Sequence, residues 1–417
     1  MNDIAEGYVK LVLQIGLYDD GYVDAYYGPE NWKPKDISEN EKKDFPFAAL
    51  YKKANDLISQ LKKIDQSKLS SIEKLRYKYL FDQILSVRSR IEILNGKKLS
   101  FDEESKALYD AVSPVYDEKF FKDVIDQLDR ILPGKGSISE RYDKFRDAFV
   151  IPKEKIDTVF KAAIFECRKR TLEHISLPAN ENFTVEYVTG KSWGAYNWYK
   201  GNEFSLIQVN TELPIYIDRA IDLACHEGYP GHHVYNALLE KHLVDDKGWV
   251  EFTVYPLFSP QSLIAEGSAN YGIDVAFPGD ERTNFEKKVL FPLAGLDSSL
   301  ADKYYEAIKL TAKLNYAMNE AARNYLDGKF SRDAAIAFLI KYALSNQDRA
   351  ERSLRFIEHY RSYVINYNLG QDIVKNYIER NGGTENDNDK RWELFRYLIS
   401  TPQTPSELQN SEMKNKK

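Results

Sequence analysis

Apolar residues recur at spacings of three and four along the first 175 or so residues, as in Tyr8, Leu11, Val12 and Ile15 and in Leu75, Tyr79, Leu80, Ile84 and Val87. That period predicts a succession of amphipathic helices. Tyr26-Tyr27-Gly28-Pro29 and the stretch from Leu132 to Ser137 carry turn residues. Near residue 180 the period shortens to two. Phe183 to Val188 predicts a strand, and Ser205 to Thr211 predicts a second. A Trp/Tyr-rich segment, Trp193 to Tyr199, lies between them. Pro214 then suits the opening of a helix, where its missing N–H costs nothing. That helix carries Ile217, Ala220, Ile221 and Ala224 on one face and ends at His226 and Glu227. Further helices are expected over about 260–277, 284–327, 331–344, 347–366 and 369–380, followed by a polar loop from Asn381 to Asp389. The pattern predicts a mainly α, two-lobed fold with a small β element beside the His226 helix. Its expected parts are an N-terminal helical lobe at 1–180, a second lobe at 181–400 and a disordered polar tail at 401–417.

A hydrophobic content of 43% is enough for a sizeable core, and a formal net charge of −6 argues against nucleic acid or an anionic membrane surface as partner. No run approaches the roughly 18 apolar residues of a membrane span. Met1 to Glu6 has no basic stretch followed by an apolar core, so a cytoplasmic location is expected, with an exported mature protein whose leader has been removed as the alternative. Two cysteines, Cys167 and Cys225, cannot make a disulfide framework for a chain of this size. Cys225 abuts His226, but adjacent helical residues point about 100° apart, which favours a structural role.

Three of the six histidines fall in one run, His226-Glu227-Gly228-Tyr229-Pro230-Gly231-His232-His233. Imidazole ligands with an adjacent carboxylate are what a zinc hydrolase needs: neutral nitrogen donors and a general base. In a straight helix His226 and His232 would be about 9 Å apart along the axis and could not share an ion. Pro230 lacks an N–H, and its ring would collide with the carbonyl of His226. Gly231 permits backbone angles closed to other residues. A kink is therefore expected that returns His232 to the metal; His233 is the alternative ligand. A third ligand is expected at Glu266, where Gly267, Ser268 and Ala269 allow close helix approach and Asn270 could orient the carboxylate. If the strand through Val209-Asn210-Thr211 forms a sheet edge, Asn210 and its neighbours could pair with an extended peptide, and Tyr196, Trp198 and Tyr199 could line its side-chain pockets.

Val209-Asn210-Thr211, the eight-residue histidine run and Ala265-Glu266-Gly267 together resemble the bacterial domain-of-unknown-function family 885, placed among the zincin-like metallopeptidases, over about 185–375. More distantly, the run is similar to the His-Glu-x-Gly-His motif of gluzincin-type helical peptidases. Aligning Gly-His on Gly231-His232 implies His226, His232 and Glu266 as zinc ligands and Glu227 as general base. The resemblance also implies Tyr367, in Tyr367-Asn368-Leu369-Gly370, and Arg355, before Phe356, as oxyanion-stabilising residues. Ser362-Tyr363-Val364 stands where those enzymes carry Pro-Gly-Gln. The implied activity is zinc-dependent hydrolysis of short peptides, with one Zn2+, or another divalent transition metal, as cofactor; the alternatives are a catalytically silent peptide- or metal-binding protein of the same fold and a metal hydrolase of non-peptide amides or esters.

Overall fold

Helix starts at Ser70, Ser100 and Ser137 share one device. Each serine hydroxyl accepts from the N–H three residues on, while Glu73, Glu103 and Glu140 reach back to the serine N–H. Such reciprocal caps satisfy donors that a helix start otherwise leaves open. The structure, a computed structural model, describes residues 1–191 and 193–410. Helix takes up 66% of the chain and strand 7%, so the fold is mainly α. Buried side chains from Ile4 to Leu408 form one continuous hydrophobic cluster, shared by the segments on either side of residue 180. No helix of the described residues is long and apolar enough to cross a membrane.

The strands make two small sheets. β1 (Val23–Tyr26) pairs antiparallel with β5 (Val254–Pro256), with a bulge between Val23 and Ala25. β2 (Asn182–Val188), β3 (Ala195–Tyr199) and β4 (Phe204–Asn210) form the other in the order β2-β4-β3. β4 runs parallel to β2 and antiparallel to β3. The two strands expected by alternation are thus present, but β4 is the central strand and not an edge. Both of its sides are already paired, so its backbone is not free for a peptide.

Several expected boundaries move. Pro214 does not open a helix, because Ile215 and Ile217 exchange backbone hydrogen bonds with Ile151 and Phe149 at 2.8 and 2.9 Å. The helix begins only at Asp218. The expected helix at 284–327 is broken at Gly295, whose φ of 71° ends the turn begun at Phe291. The one expected at 347–366 stops at Tyr360, followed by Arg361 at φ 52°. The tail expected to be disordered is ordered through residue 410: Pro405–Asn410 is helical, and Arg380 holds the carbonyls of Leu408 and Gln409 at 2.7 and 2.9 Å. Residues 411–417 lie outside the described residues.

One contact sets the geometry of the site. The helices Pro260–Ala276 and Ile365–Arg380 touch backbone to backbone at Gly267 and Gly370. A Cβ on Gly267 would lie 2.3 Å from the Gly370 carbonyl carbon, so no side chain fits. This brings Glu266 and Asn270 on the first helix against Tyr363, in the turn Arg361–Val364, and Tyr367, in the first turn of the second helix.

Candidate metal centre

The histidine run is a helix interrupted by a wider turn. Asp218–Leu223 is α-helical, and Ala224–Gly228 opens into a π-helical turn closed by Tyr229 N–H to Ala224 O at 3.1 Å. Gly231 N–H reaches back to Cys225 O at 2.9 Å, and a new helix runs from His232 to Leu239. The Tyr229–Pro230 bond is cis. The break is as expected, and at Gly231 space also excludes a side chain, because a Cβ there would sit 2.0 Å from His226 O. The outcome is that the rings of His226 and His232 lie 4.7 Å apart at 90°.

Glu266 joins them from the neighbouring helix. Its Oε2 is 3.3 Å from His226 Nε2 and 3.7 Å from His232 Nε2, and one ligand atom from each residue lies within 4.8 Å of the others. Asn270 sets the proton on His226. Its Nδ2 donates to Tyr367 O at 2.8 Å, so its Oδ1 accepts from His226 Nδ1 at 2.9 Å. That leaves Nε2 to present a lone pair toward Glu266. Asn270 therefore orients His226 and not, as expected, the carboxylate. Tyr363 takes the second task, donating to Glu266 Oε1 at 2.9 Å.

These residues fit a divalent cation. Glu266 is buried and its Oε2 has no hydrogen-bond partner. The 3.3 Å to His226 is long for a charge-assisted hydrogen bond. It matches the roughly 3.3 Å between ligands that each lie about 2.0–2.1 Å from a tetrahedral zinc. Burial works against the charge on Glu266, yet His226 and His232 outweigh it and hold the carboxyl well below the usual range. Burial likewise opposes a charge on His226, but Glu266 and Glu227 raise its pKa. The cradle thus calls for positive charge between its donors.

Glu227 is 5% exposed, and among the described residues its carboxylate makes no hydrogen bond. Its backbone carbonyl accepts from Asn197 Nδ2 at 2.7 Å, which ties β3 to the turn. Tyr367 stands at the rim, 38% exposed, its ring 5.7 Å from that of Tyr363. Burial of its hydroxyl, then the charges of Glu266 and Glu227, raise its pKa, so the phenol keeps its proton. Asp24 on β1 is half-buried; burial, reinforced by the charges of Glu266 and Glu227, pushes its carboxyl up to about 7.

The other expected site residues lie elsewhere. His233 is fully buried, bonded to Glu181 Oε2 at 3.0 Å and Ser205 Oγ at 2.9 Å, so both ring nitrogens are engaged and His232 is the residue that joins the cradle. Arg355 is exposed and its ion-pair partner is Glu351, one turn away at 3.9 Å, so it is not drawn into the site. Tyr199 is buried and donates to Glu240, which removes it from any cleft. Tyr196 alternates with Asn197 on β3 and so faces away from Glu227, packing on Trp198 at 4.6 Å. Asn210 donates to Lys191 O and Trp193 O at 2.9 and 3.0 Å; it clamps a loop and has no amide hydrogen left for a substrate. Cys225 faces Cys167, Sγ to Sγ 3.0 Å, inside the core, in keeping with a structural role. Asn197 and Tyr363 were not singled out for the site from sequence. For Tyr363 a signal existed, since Tyr367 lies one helical turn on.

No family model and no curated protein matches the chain. Among solved structures it is similar to a "putative lipoprotein" from Colwellia psychrerythraea, at 16% identity and a TM-score of 0.52, over 91% of this chain and 69% of that one. It also matches a "putative lipoprotein of unknown function" from Shewanella oneidensis at 15% identity, over 85% of this chain and 71% of that one, with a TM-score of 0.38. The likeness to the Colwellia protein is one of fold.

Proposed function

We propose that the protein is a zinc-dependent peptidase acting on short peptides, with His226, His232 and Glu266 as metal ligands and Glu227 as general base. One observation carries this reading: two imidazole nitrogens and an unpartnered carboxylate oxygen converge next to Glu227, a second buried acidic residue whose carboxylate has no hydrogen-bond donor among the described residues. A bound Zn2+ would supply a Lewis acid and make water nucleophilic near neutral pH. The remaining work falls to the chain. Glu227 accepts a proton from the attacking water and returns it to the leaving amine. Tyr367, kept protonated, donates a hydrogen bond to the developing oxyanion. Asn270 and Tyr363 hold His226 and Glu266 in place for the ion.

The peptide-pairing edge belongs to β3 and not β4. Among the described residues β3 pairs with β4 alone, and Asn197 fastens it to the carbonyl of Glu227. Its outer backbone groups can extend the sheet by one substrate strand.

The test is digestion of a mixture of synthetic peptides of three to ten or so residues, followed by mass spectrometry. Cleavage that stops with 1,10-phenanthroline and returns when Zn2+ is restored is the expected result. Peptides left intact by the zinc-loaded protein, while simple esters or non-peptide amides are hydrolysed, would move the reading to a different substrate class.

A further inference from the structure

Cys167 and Cys225 are the two cysteines of the chain, and the fold brings them together. They stand 58 positions apart in sequence, yet Sγ lies 3.0 Å from Sγ. Cys167 sits in the helix Ile156–Leu172, and Cys225 in the π-helical turn Ala224–Gly228 that presents His226 and Glu227. Both side chains are fully buried. Among the described residues each sulfur has the other as its one hydrogen-bond partner. A thiol is a weak donor and a weak acceptor, so a hydrogen bond is a small reason for two sulfurs to face each other in a core. Their separation is within about 1 Å of the roughly 2.05 Å of a sulfur–sulfur bond.

The chain between the two cysteines is no short connection. It contains β2, β3 and β4, and Asn197 of β3 holds the carbonyl of Glu227. A bond between Cys167 and Cys225 would close a covalent ring that includes this whole sheet. Such a ring restrains the unfolded chain and so favours the folded one. It would also tie the interrupted helix, one residue ahead of His226, to a helix from before residue 180.

We propose that Cys167 and Cys225 join in a disulfide as the protein folds, and that this bond staples the turn carrying His226 and Glu227 to the helix Ile156–Leu172. The co-reactant is a disulfide donor of the glutathione class. One cysteine sulfur attacks the donor, forms a mixed disulfide and releases one reduced donor thiol. The second cysteine sulfur attacks the mixed disulfide and releases the other. Two S–H bonds are lost and one S–S bond forms, while the donor takes up two electrons and two protons. The exchange precedes closure of the core, since neither sulfur is within reach of solvent afterwards. The bond needs neither a metal nor a peptide and stands apart from the peptidase reading.

The test unfolds the full chain with reductant and refolds it in a buffer of reduced and oxidised glutathione. N-ethylmaleimide is then added in denaturant and the intact mass is measured. The expected protein carries no maleimide, and both cysteines take up label once dithiothreitol has acted in denaturant. Label on both cysteines without reductant overturns the proposal, and so does bound glutathione. Where refolding returns no folded protein, the chain is made by cell-free synthesis in the same buffer and read in the same way. The cross-linked protein should also melt a few degrees above the same chain folded in dithiothreitol. Equal melting temperatures would overturn the stapling role.

Discussion

Glu227→Gln is expected to lower kcat for peptide hydrolysis by about 10²–10⁴, the usual contribution of a positioned general base. Zinc content should stay at the wild-type level, because Glu227 is not among the converging ligand atoms. Glutamine has the same shape, so the buried slot needs no repacking. The metal-free variant should melt close to the wild-type temperature, because a volume-conserving exchange leaves the packing unchanged. Kinetics, metal analysis and a thermal melt on one preparation check all three. Full activity in the variant would remove Glu227 from the mechanism.

His232→Ala and His233→Ala should separate cleanly, although the two residues are adjacent. Loss of His232 takes away one of the converging nitrogens. Zinc affinity should fall by more than the roughly 10–100-fold that follows loss of a residue behind a ligand, and activity with it. His233 has a different task. Its ring joins Glu181 to Ser205 in the core, and Glu181 also receives Arg168 and Tyr229. Removing it leaves a cavity and weakens a buried network at a cost of about 2–3 kcal/mol. The His233 variant should bind zinc stoichiometrically and melt several degrees lower. Metal loss in His233→Ala with retention in His232→Ala would reverse the ligand assignment.

The same pair shows how far the sequence could be read. A proline and a glycine between two histidines announced a broken helix, and Glu266 stood out as an acidic residue among Gly267, Ser268 and Ala269. Those are local signals, and the structure brings the three residues together. Local pattern could not say which of two adjacent histidines points inward, because that depends on the phase of the helix that restarts at His232. Nor could it order the sheet. Alternation located β2 and β4, but the central place of β4 follows from its pairing on both sides. Tyr196, Tyr199 and Asn210 were misplaced for that reason, since strand order decides which face meets the site. The β1–β5 ribbon was invisible: β1 pairs with residues 254–256, and neither strand has a run long enough to show a period of two. Likewise, the split of the expected helix at 284–327 turns on one glycine with φ 71°, which the apolar spacing does not register.

Zinc K-edge X-ray absorption on purified protein, combined with elemental analysis, tests the metal centre most directly. The prediction is one ion per chain, with a first coordination shell of nitrogen and oxygen at about 2.0–2.1 Å and the outer scattering of two imidazoles. The imidazole signal should diminish in His226→Ala and His232→Ala and persist in His233→Ala. A protein that takes up no stoichiometric divalent ion, or whose ion environment is unchanged when His226, His232 or Glu266 is replaced, would contradict the account.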